Sequence, residues 1–165
     1  MPVASRVLAE NPDVDFEVVA QGRLAAGWRR IDRVTVLPQL PWPEYRQATA
    51  KRAVDVMLAS LLPTRVNAAR APTTRIDAGR SGAALLVSDP EVYAPSQEER
   101  ALGMLVDLDP DRWVRTIADP VRDPDRIREL ARLNRAHVAA AQATAPPPFV
   151  WHNESGRQLW RFCEH

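Results

Sequence analysis

The sequence has only one cysteine, Cys163, and only one lysine, Lys51, among its 165 residues. A single cysteine excludes a disulfide within the chain and any metal site made of cysteines alone. The glycine-rich patterns G-x-G-x-x-G and G-x-x-x-x-G-K-[ST] are also missing, which disfavours the standard dinucleotide-binding and P-loop classes. No apolar run approaches the ~18 residues that a membrane span needs, so we expect a cytoplasmic protein without a transmembrane segment.

The chain also lacks a large net charge, since its 22 basic and 21 acidic residues leave a net charge of +1. The chain therefore has no overall field that would attract nucleic acid or an anionic membrane. The histidines, His137, His152 and His165, lack the spacing to carboxylates or cysteine that metal ligands have, so no metal is expected. The segment "GRSGA" resembles a serine-nucleophile elbow only loosely, since it precedes a strand whereas the elbow follows one.

What the sequence does contain is an alternation of strand and helix patterns. The segments "MLAS" and "AALLVS" are continuously apolar, as strands are when helices cover both faces of a sheet. The predicted strands are 15–20, 33–37, 53–59, 83–88 and 103–107, and the predicted helices are 3–10, 44–52, 73–80, 110–119 and 123–143. This order predicts one α/β domain over residues 1–145, with a Rossmann-like parallel sheet and helices on both faces. A proline-rich break and an aromatic tail follow at 146–165.

Ligands of such a fold bind beyond the carboxyl ends of the strands. In this chain those ends are followed by the loops after Ser60, Ser88 and Asp107. The region from Ala59 to Tyr93 contains two of these loops and is the candidate ligand region.

The sequence between Val34 and Val138 resembles a known family. The stretch "VTVLPQLPWPEYRQATAKRAVDVMLASLLPTRVNAARAPTTRIDAGRSGAALLVSDPEVY" is followed by "GMLVDLDPDRWVRTIADPVRDPDRIRELARLNRAHV". Together with the strand in "DFEVVAQG", they resemble the C-terminal, donor-binding half of retaining glycosyltransferases with two Rossmann-like domains (GT-B), over roughly residues 14–140. The interval from Asp77 to Ser88 equals the one that the family shows between a helical glutamate and a strand-end serine.

The resemblance implies a site for a nucleotide-sugar. Asp77 would accept hydrogen bonds from the nucleotide ribose, and Asn67 and Arg70 stand where one branch of the family has an asparagine and a lysine. Arg70 would contact the donor phosphates with its planar guanidinium. Ser88 and Tyr93 would lie at the border of the same ligand site. No catalytic residue is assigned.

The residues alone leave a second interpretation open for the same side chains. Asp77 would then offset Arg75 or Arg80 on a helix surface, where ion pairs contribute little. In the same way, Arg70 would be a solvated loop residue and Asn67 a cap for the next turn. The position of each side chain in the fold distinguishes the two interpretations.

Parts of the family pattern have no counterpart in this sequence. The position eight residues before Asp77 is Ala69, where the family has a second glutamate, and the family's first strand, glycine-rich loop and acceptor-binding domain are absent. The resemblance therefore implies the nucleotide-sugar-binding half of a glycosyltransferase, with a nucleoside diphosphate sugar as donor substrate and no cofactor. Transfer to an unknown acceptor would need a separately encoded acceptor-domain protein, and whether the chain itself is an enzyme stays open. The alternative is a non-catalytic remnant or a partner-binding module, since a sheet without one of its strands has an edge that can pair with another chain.

Overall fold

A computed structural model describes residues 2–20, 22–143, 150–152 and 158–161. Its first part is a β-α-β unit preceded by helix α1 (Pro2–Glu10). Strand β1 (Phe16–Val19) leads through helix α2 (Gly22–Trp28) to strand β2 (Val34–Leu37). The two strands pair in parallel over their whole length.

Helix α3 (Trp42–Lys51) connects this unit to a second one. Strand β3 (Val56–Ala59) leads through the helices α4 (Arg65–Ala68) and α5 (Thr73–Ser81) to strand β4 (Ala84–Val87). These two strands also pair in parallel. Both units therefore connect their parallel strands through a helical segment. The alternation in the sequence predicted the helix 73–80 in the second unit, but no helix was predicted at α2 in the first.

The chain from residue 90 to residue 143 is mainly helical, with α6 (Pro90–Tyr93), α7 (Gln97–Ala101), α8 (Pro110–Arg122) and α9 (Pro124–Ala143). In the predicted aromatic tail, β5 (Val150–His152) and β6 (Gln158–Arg161) form an antiparallel pair. The predicted domain boundary at 145 and the last tail residues, 162–165, lie outside the described residues. Among the described helices, none is long and apolar enough to cross a membrane.

The α/β class and the parallel pairing are confirmed, but the described strands do not form one continuous sheet. The fifth strand, predicted at 103–107, is reduced to a bridge beside β4. In that bridge the Val87 N–H donates to the Met104 carbonyl at 2.9 Å, and the Val106 N–H donates to the Val87 carbonyl at 2.8 Å. The fold is therefore built on two parallel strand pairs, and the second pair is extended by this bridge.

The hydrophobic core is centred on β4, all four residues of which are buried. Apolar side chains of α1, α8 and α9 pack in the same cluster, among them Val7, Trp113, Val114, Ile117, Ile127 and Leu130. Since successive residues of β4 are all buried, both faces of the strand are covered, which explains why its sequence is apolar throughout.

Short capping motifs define the small helices. The segment 61–72, for which neither strand nor helix was predicted, contains the one-turn helix α4, which begins where the Thr64 hydroxyl accepts a hydrogen bond from the Asn67 N–H at 3.2 Å. Helix α7 begins with a capping box: the Glu99 N–H donates to the Ser96 hydroxyl at 3.1 Å, and the Ser96 N–H donates to the Glu99 carboxylate at 2.8 Å. Each cap satisfies a backbone N–H that the first turn of a helix leaves unpaired.

Candidate functional site

Asp77 lies on the second turn of α5, with 8% of its surface exposed. Its Oδ2 atom accepts a hydrogen bond of 2.7 Å from the Tyr45 hydroxyl on α3, and its Oδ1 atom lies 3.6 Å from the Arg80 Nη1 atom. Burial, followed by the hydrogen bond to Asp77 and the charge of that carboxylate, raises the pKa of Tyr45 above its ordinary value of 10.0. The Tyr45 hydroxyl therefore stays protonated and holds the carboxylate in a fixed orientation.

Asp77 lines an open cavity with a volume of about 500 Å³. The cavity lies beyond the carboxyl ends of β1 and β2 and beside the first turns of α3 and α5. Its walls include Val19, Gln39, Trp42, Tyr45, Thr73 and Asp77. Small-molecule sites in proteins have volumes of about 300–1,000 Å³, so the cavity is large enough for a ligand of ordinary size.

Trp42 gives this cavity an exposed aromatic face, since 60% of its surface is accessible. Its ring is stacked on Tyr45, with 6.0 Å between the centroids, and the Arg80 guanidinium carbon lies 5.8 Å from the Trp42 ring centroid. The Arg80 Nη1 atom is buried, and no described group accepts a hydrogen bond from it. The cavity thus combines an aromatic face for a planar ring with a carboxylate that accepts hydrogen bonds from hydroxyls, and the Arg80 guanidinium lies beside both side chains.

Arg75, two residues before Asp77, points to a different side of α5 and is buried. One of its terminal nitrogens donates to the Glu99 carboxylate at 2.5 Å, and the other donates to the Tyr93 carbonyl at 2.8 Å. Of the two arginines that the sequence offers as partners of Asp77, Arg80 is therefore the one that approaches it.

Ser88 lies at a second cavity, with a volume of about 350 Å³. Its hydroxyl accepts a hydrogen bond from the Leu61 N–H at 2.7 Å and donates to the Leu61 carbonyl at 2.9 Å. The hydroxyl therefore ties the loop after β3 to the loop after β4. Leu108 also lines this cavity, which consequently lies at the loops after Ser60, Ser88 and Asp107 where the sequence predicted ligands.

The remaining candidate residues do not line the larger cavity. The Asn67 side-chain amide donates to the Leu62 carbonyl at 2.8 Å and so stabilises its own turn. Arg70 is exposed, and within the described part of the chain its guanidinium makes no ion pair. Tyr93 is 4% exposed and belongs to the hydrophobic core. Asp77 is thus the only one of the five that lines the 500 Å³ cavity.

The described residues contain no group of three histidine, cysteine, aspartate or glutamate side chains that could hold a metal ion. No family model matches the chain, and no curated protein is similar to it at a significant level. A function is therefore inferred from the geometry and chemistry of the cavity at Asp77.

Trp42 and Tyr45 were not among the candidate site residues, although the sequence carries a signal for them. They follow strand β2 in "PQLPWPEY", at the start of a helix and three positions apart. Residues at that spacing lie on the same side of a helix, and loops after parallel strands are where ligands bind. This combination is sufficient to nominate both aromatic side chains.

Proposed function

We propose that the chain is the donor-binding half of a glycosyltransferase and binds a nucleoside diphosphate sugar in the cavity at Asp77. One observation carries the proposal: a carboxylate oriented by Tyr45 lies beside the exposed ring of Trp42, in a cavity beyond the carboxyl ends of two parallel strands. Ligands of α/β proteins occupy this position relative to the strands.

The nucleoside would be recognised by the aromatic face and the carboxylate. The Trp42 ring offers its exposed side to a nucleobase, and stacking of this kind stabilises a complex by about 1–3 kcal/mol per base. The Asp77 carboxylate has about four acceptor positions, of which the Tyr45 hydroxyl occupies one. The Arg80 Nη1 atom faces Oδ1 at 3.6 Å, and the positions that stay open would accept hydrogen bonds from the hydroxyls of a ribose.

The diphosphate would be held by arginine. In glycosyl transfer the bond between the sugar carbon and the diphosphate oxygen breaks, and the departing diphosphate needs nearby cations because it gains negative charge. Arg80, which has a buried nitrogen without a hydrogen-bond acceptor, lies next to Asp77. Arg70 is exposed on the segment that leads to α5 and is the second candidate. The acceptor hydroxyl that attacks the sugar would be bound by a separate acceptor-domain protein.

Calorimetric titration with the diphosphate glucoses of uridine, guanosine, adenosine and thymidine tests this proposal directly. We expect at least one of them to bind, and Asp77→Asn to raise its Kd by about tenfold or more, because a hydrogen bond to a charged group contributes about 1.5–3 kcal/mol. Trp42→Ala should weaken binding as well, with little effect on folding, since Trp42 is exposed.

Asp125→Asn is the matched control, because it makes the same chemical change on an exposed carboxylate of α9. It should leave the Kd unchanged, and thermal unfolding of each variant separates a loss of binding from a loss of folding. Absence of binding for all four donors would contradict the proposal. So would a Kd that responds equally to Asp77→Asn and Asp125→Asn.

The alternative function is a partner-binding module without catalytic activity. It is favoured by one edge of β1 and one edge of β3 that no described strand pairs with, since such edges are typical of surfaces that pair with another polypeptide. The two functions differ in one measurement: turnover of the donor after addition of an acceptor-domain protein supports the transferase, and donor binding without turnover supports the module.

A further inference from the structure

One edge of β1 is free of any described strand. The Phe16 N–H donates to the Arg33 carbonyl at 3.0 Å, so the backbone groups of Phe16 face β2. Successive residues of a strand direct their backbone groups to opposite edges. The N–H and C=O groups of Glu17 and Val19 therefore face away from β2.

One edge of β3 is free in the same way. The Ser88 N–H donates to the Ala59 carbonyl at 3.2 Å, so the backbone groups of Ala59 face β4. By the same alternation, the N–H and C=O groups of Val56 and Leu58 face away from β4. The far edge of β4 is already occupied, because Val87 makes the bridge to the following segment.

Two observations place the free edge of β1 next to the free edge of β3. First, Phe16 and Val56 both pack against the buried cluster around β4, to which the described residues of β2 contribute nothing. Second, the Arg52 guanidinium, just before β3, lies 2.5 Å from the Glu17 carboxylate on β1. These contacts indicate the order β2, β1, β3, β4 across the fold, and no ladder joins β1 to β3 within the described residues. We call the space between them the β1–β3 groove.

We propose that the β1–β3 groove binds one extended apolar segment of another polypeptide as an added strand, parallel to β1 and β3. Both walls of the groove present alternating N–H and C=O groups, which only an extended backbone can pair on two sides at once. Val19 and Leu58, exposed by 55% and 36%, flank the groove and would be covered by apolar side chains of the added strand. Since β1 and β3 have four residues each, the added strand would be about 13 Å long at ~3.3 Å per residue.

Other occupants fit the groove less well. A helix has already used its backbone groups internally and could not pair with either wall. A second copy of this chain that joined edge to edge would cover one wall and leave the other open. A single parallel strand satisfies both walls, and its binding does not depend on whether the cavity at Asp77 binds a nucleotide.

Amide hydrogen exchange measured by NMR on the whole chain tests the groove. The probe is a short peptide in which valine alternates with threonine, with lysine at each end for solubility. In the free chain, the amides of Glu17, Val19, Val56 and Leu58 should exchange faster than that of Ala59. The peptide should slow exchange at those four positions by about tenfold or more, and a peptide with proline at its centre should not.

Two substitutions at one position isolate the backbone contact. Glu17→Ala and Glu17→Pro both remove the ion pair with Arg52, but only the proline variant also removes an N–H that faces the groove. We expect Glu17→Ala to bind the peptide nearly as well as the wild type and Glu17→Pro to bind it at least about tenfold more weakly. Protection of the four amides in the free chain, no slowing by the peptide, or equal binding by the two variants would each overturn the proposal.

Discussion

Replacing Arg75 by methionine tests what holds α5, the helix that carries Asp77, in place. The side chains of Arg75 and Glu99 are each 2% exposed and lie 2.5 Å apart, so that they join α5 to α7. Arg75 also donates to the Tyr93 carbonyl at 2.8 Å. Methionine fills much of the same space but leaves the Glu99 carboxylate buried without its cation.

The expected loss is large for a single substitution. Breaking a buried ion pair by removing one partner costs about 3–5 kcal/mol, and we expect Arg75→Met to lower the free energy of unfolding by that amount. Removing both charges with Glu99→Met in addition should restore part of the loss, because no unpaired charge stays buried. Arg132→Met is the control: its pair with Glu129 is exposed, and its loss should produce at most a small change.

The pH dependence gives a second signature of the same pair. Burial alone raises the pKa of the Glu99 carboxyl, but the hydrogen bond from Arg75, the Ser96 N–H and the Arg75 charge lower it below the ordinary value of 4.5. The pair therefore stabilises the fold above pH 4.5, and this contribution is lost as the pH falls through the lowered pKa. In Arg75→Met both contributions of Arg75 are lost, and burial is opposed only by the weaker effects of the Ser96 N–H and the His137 charge, so the deficit relative to wild type should shrink in acid.

Urea denaturation followed by circular dichroism, at neutral pH and near pH 4.5, measures all of these effects. The explanation is refuted if Arg75→Met is no more destabilised than Arg132→Met at neutral pH. It is equally contradicted if the double variant loses the sum of the two single losses, because groups that form one pair are not additive.

Two further predictions concern α5 and its neighbours. Gly79→Ala should destabilise the fold by about 1–3 kcal/mol in thermal or urea unfolding, because the added Cβ would lie 3.0 Å from Val138 Cγ2. This loss is expected although alanine is a better helix former than glycine. Stabilisation by Gly79→Ala would contradict the close packing of α5 on α9. In a Tyr93→Phe variant, ultraviolet titration should give Tyr45 a pKa above 10.0. Adding Asp77→Asn should lower that pKa by removing a negative charge, and an unchanged value would argue against the contact.

The sequence was sufficient to predict the elements that form the second strand pair and the long helices. A strand covered on both faces is apolar throughout, and β4 has this property. The helices α4, α6 and α7 were not predicted, because four or five residues are too few to show a helical period. They begin where Thr64, Asp89 and Ser96 cap them. Helix α2 was also missed, since "GRLAAGW" contains Gly22 and Gly27 and glycine is a poor helix former. Two parallel strands nevertheless need a long crossover between them, and this crossover is usually helical.

The sequence was sufficient to select Asp77 as a site residue, but it did not predict which side chains contact Asp77. Tyr45 precedes it by 32 positions, and no local pattern links the two. Arg75 is closer in sequence yet points elsewhere, because residues two apart on a helix lie on different sides and Glu99 offers a buried carboxylate. Contacts of this kind depend on how α3, α5 and α7 pack, which the periodicity of each helix does not specify.

The end of β1 connects the two proposed sites. Val19 lines the cavity at Asp77, and its backbone groups face the β1–β3 groove. A strand added parallel to β1 would have its carboxyl end at the same side as Val19, and it would therefore form part of the cavity wall. Coupling between two binding sites is reciprocal. If the added strand changes the affinity for the donor by some factor, a donor in the cavity changes the affinity for the strand by the same factor. On these two proposals, the isolated chain binds the donor in a cavity that lacks the wall formed by the added strand, and its donor affinity is the affinity of that incomplete cavity.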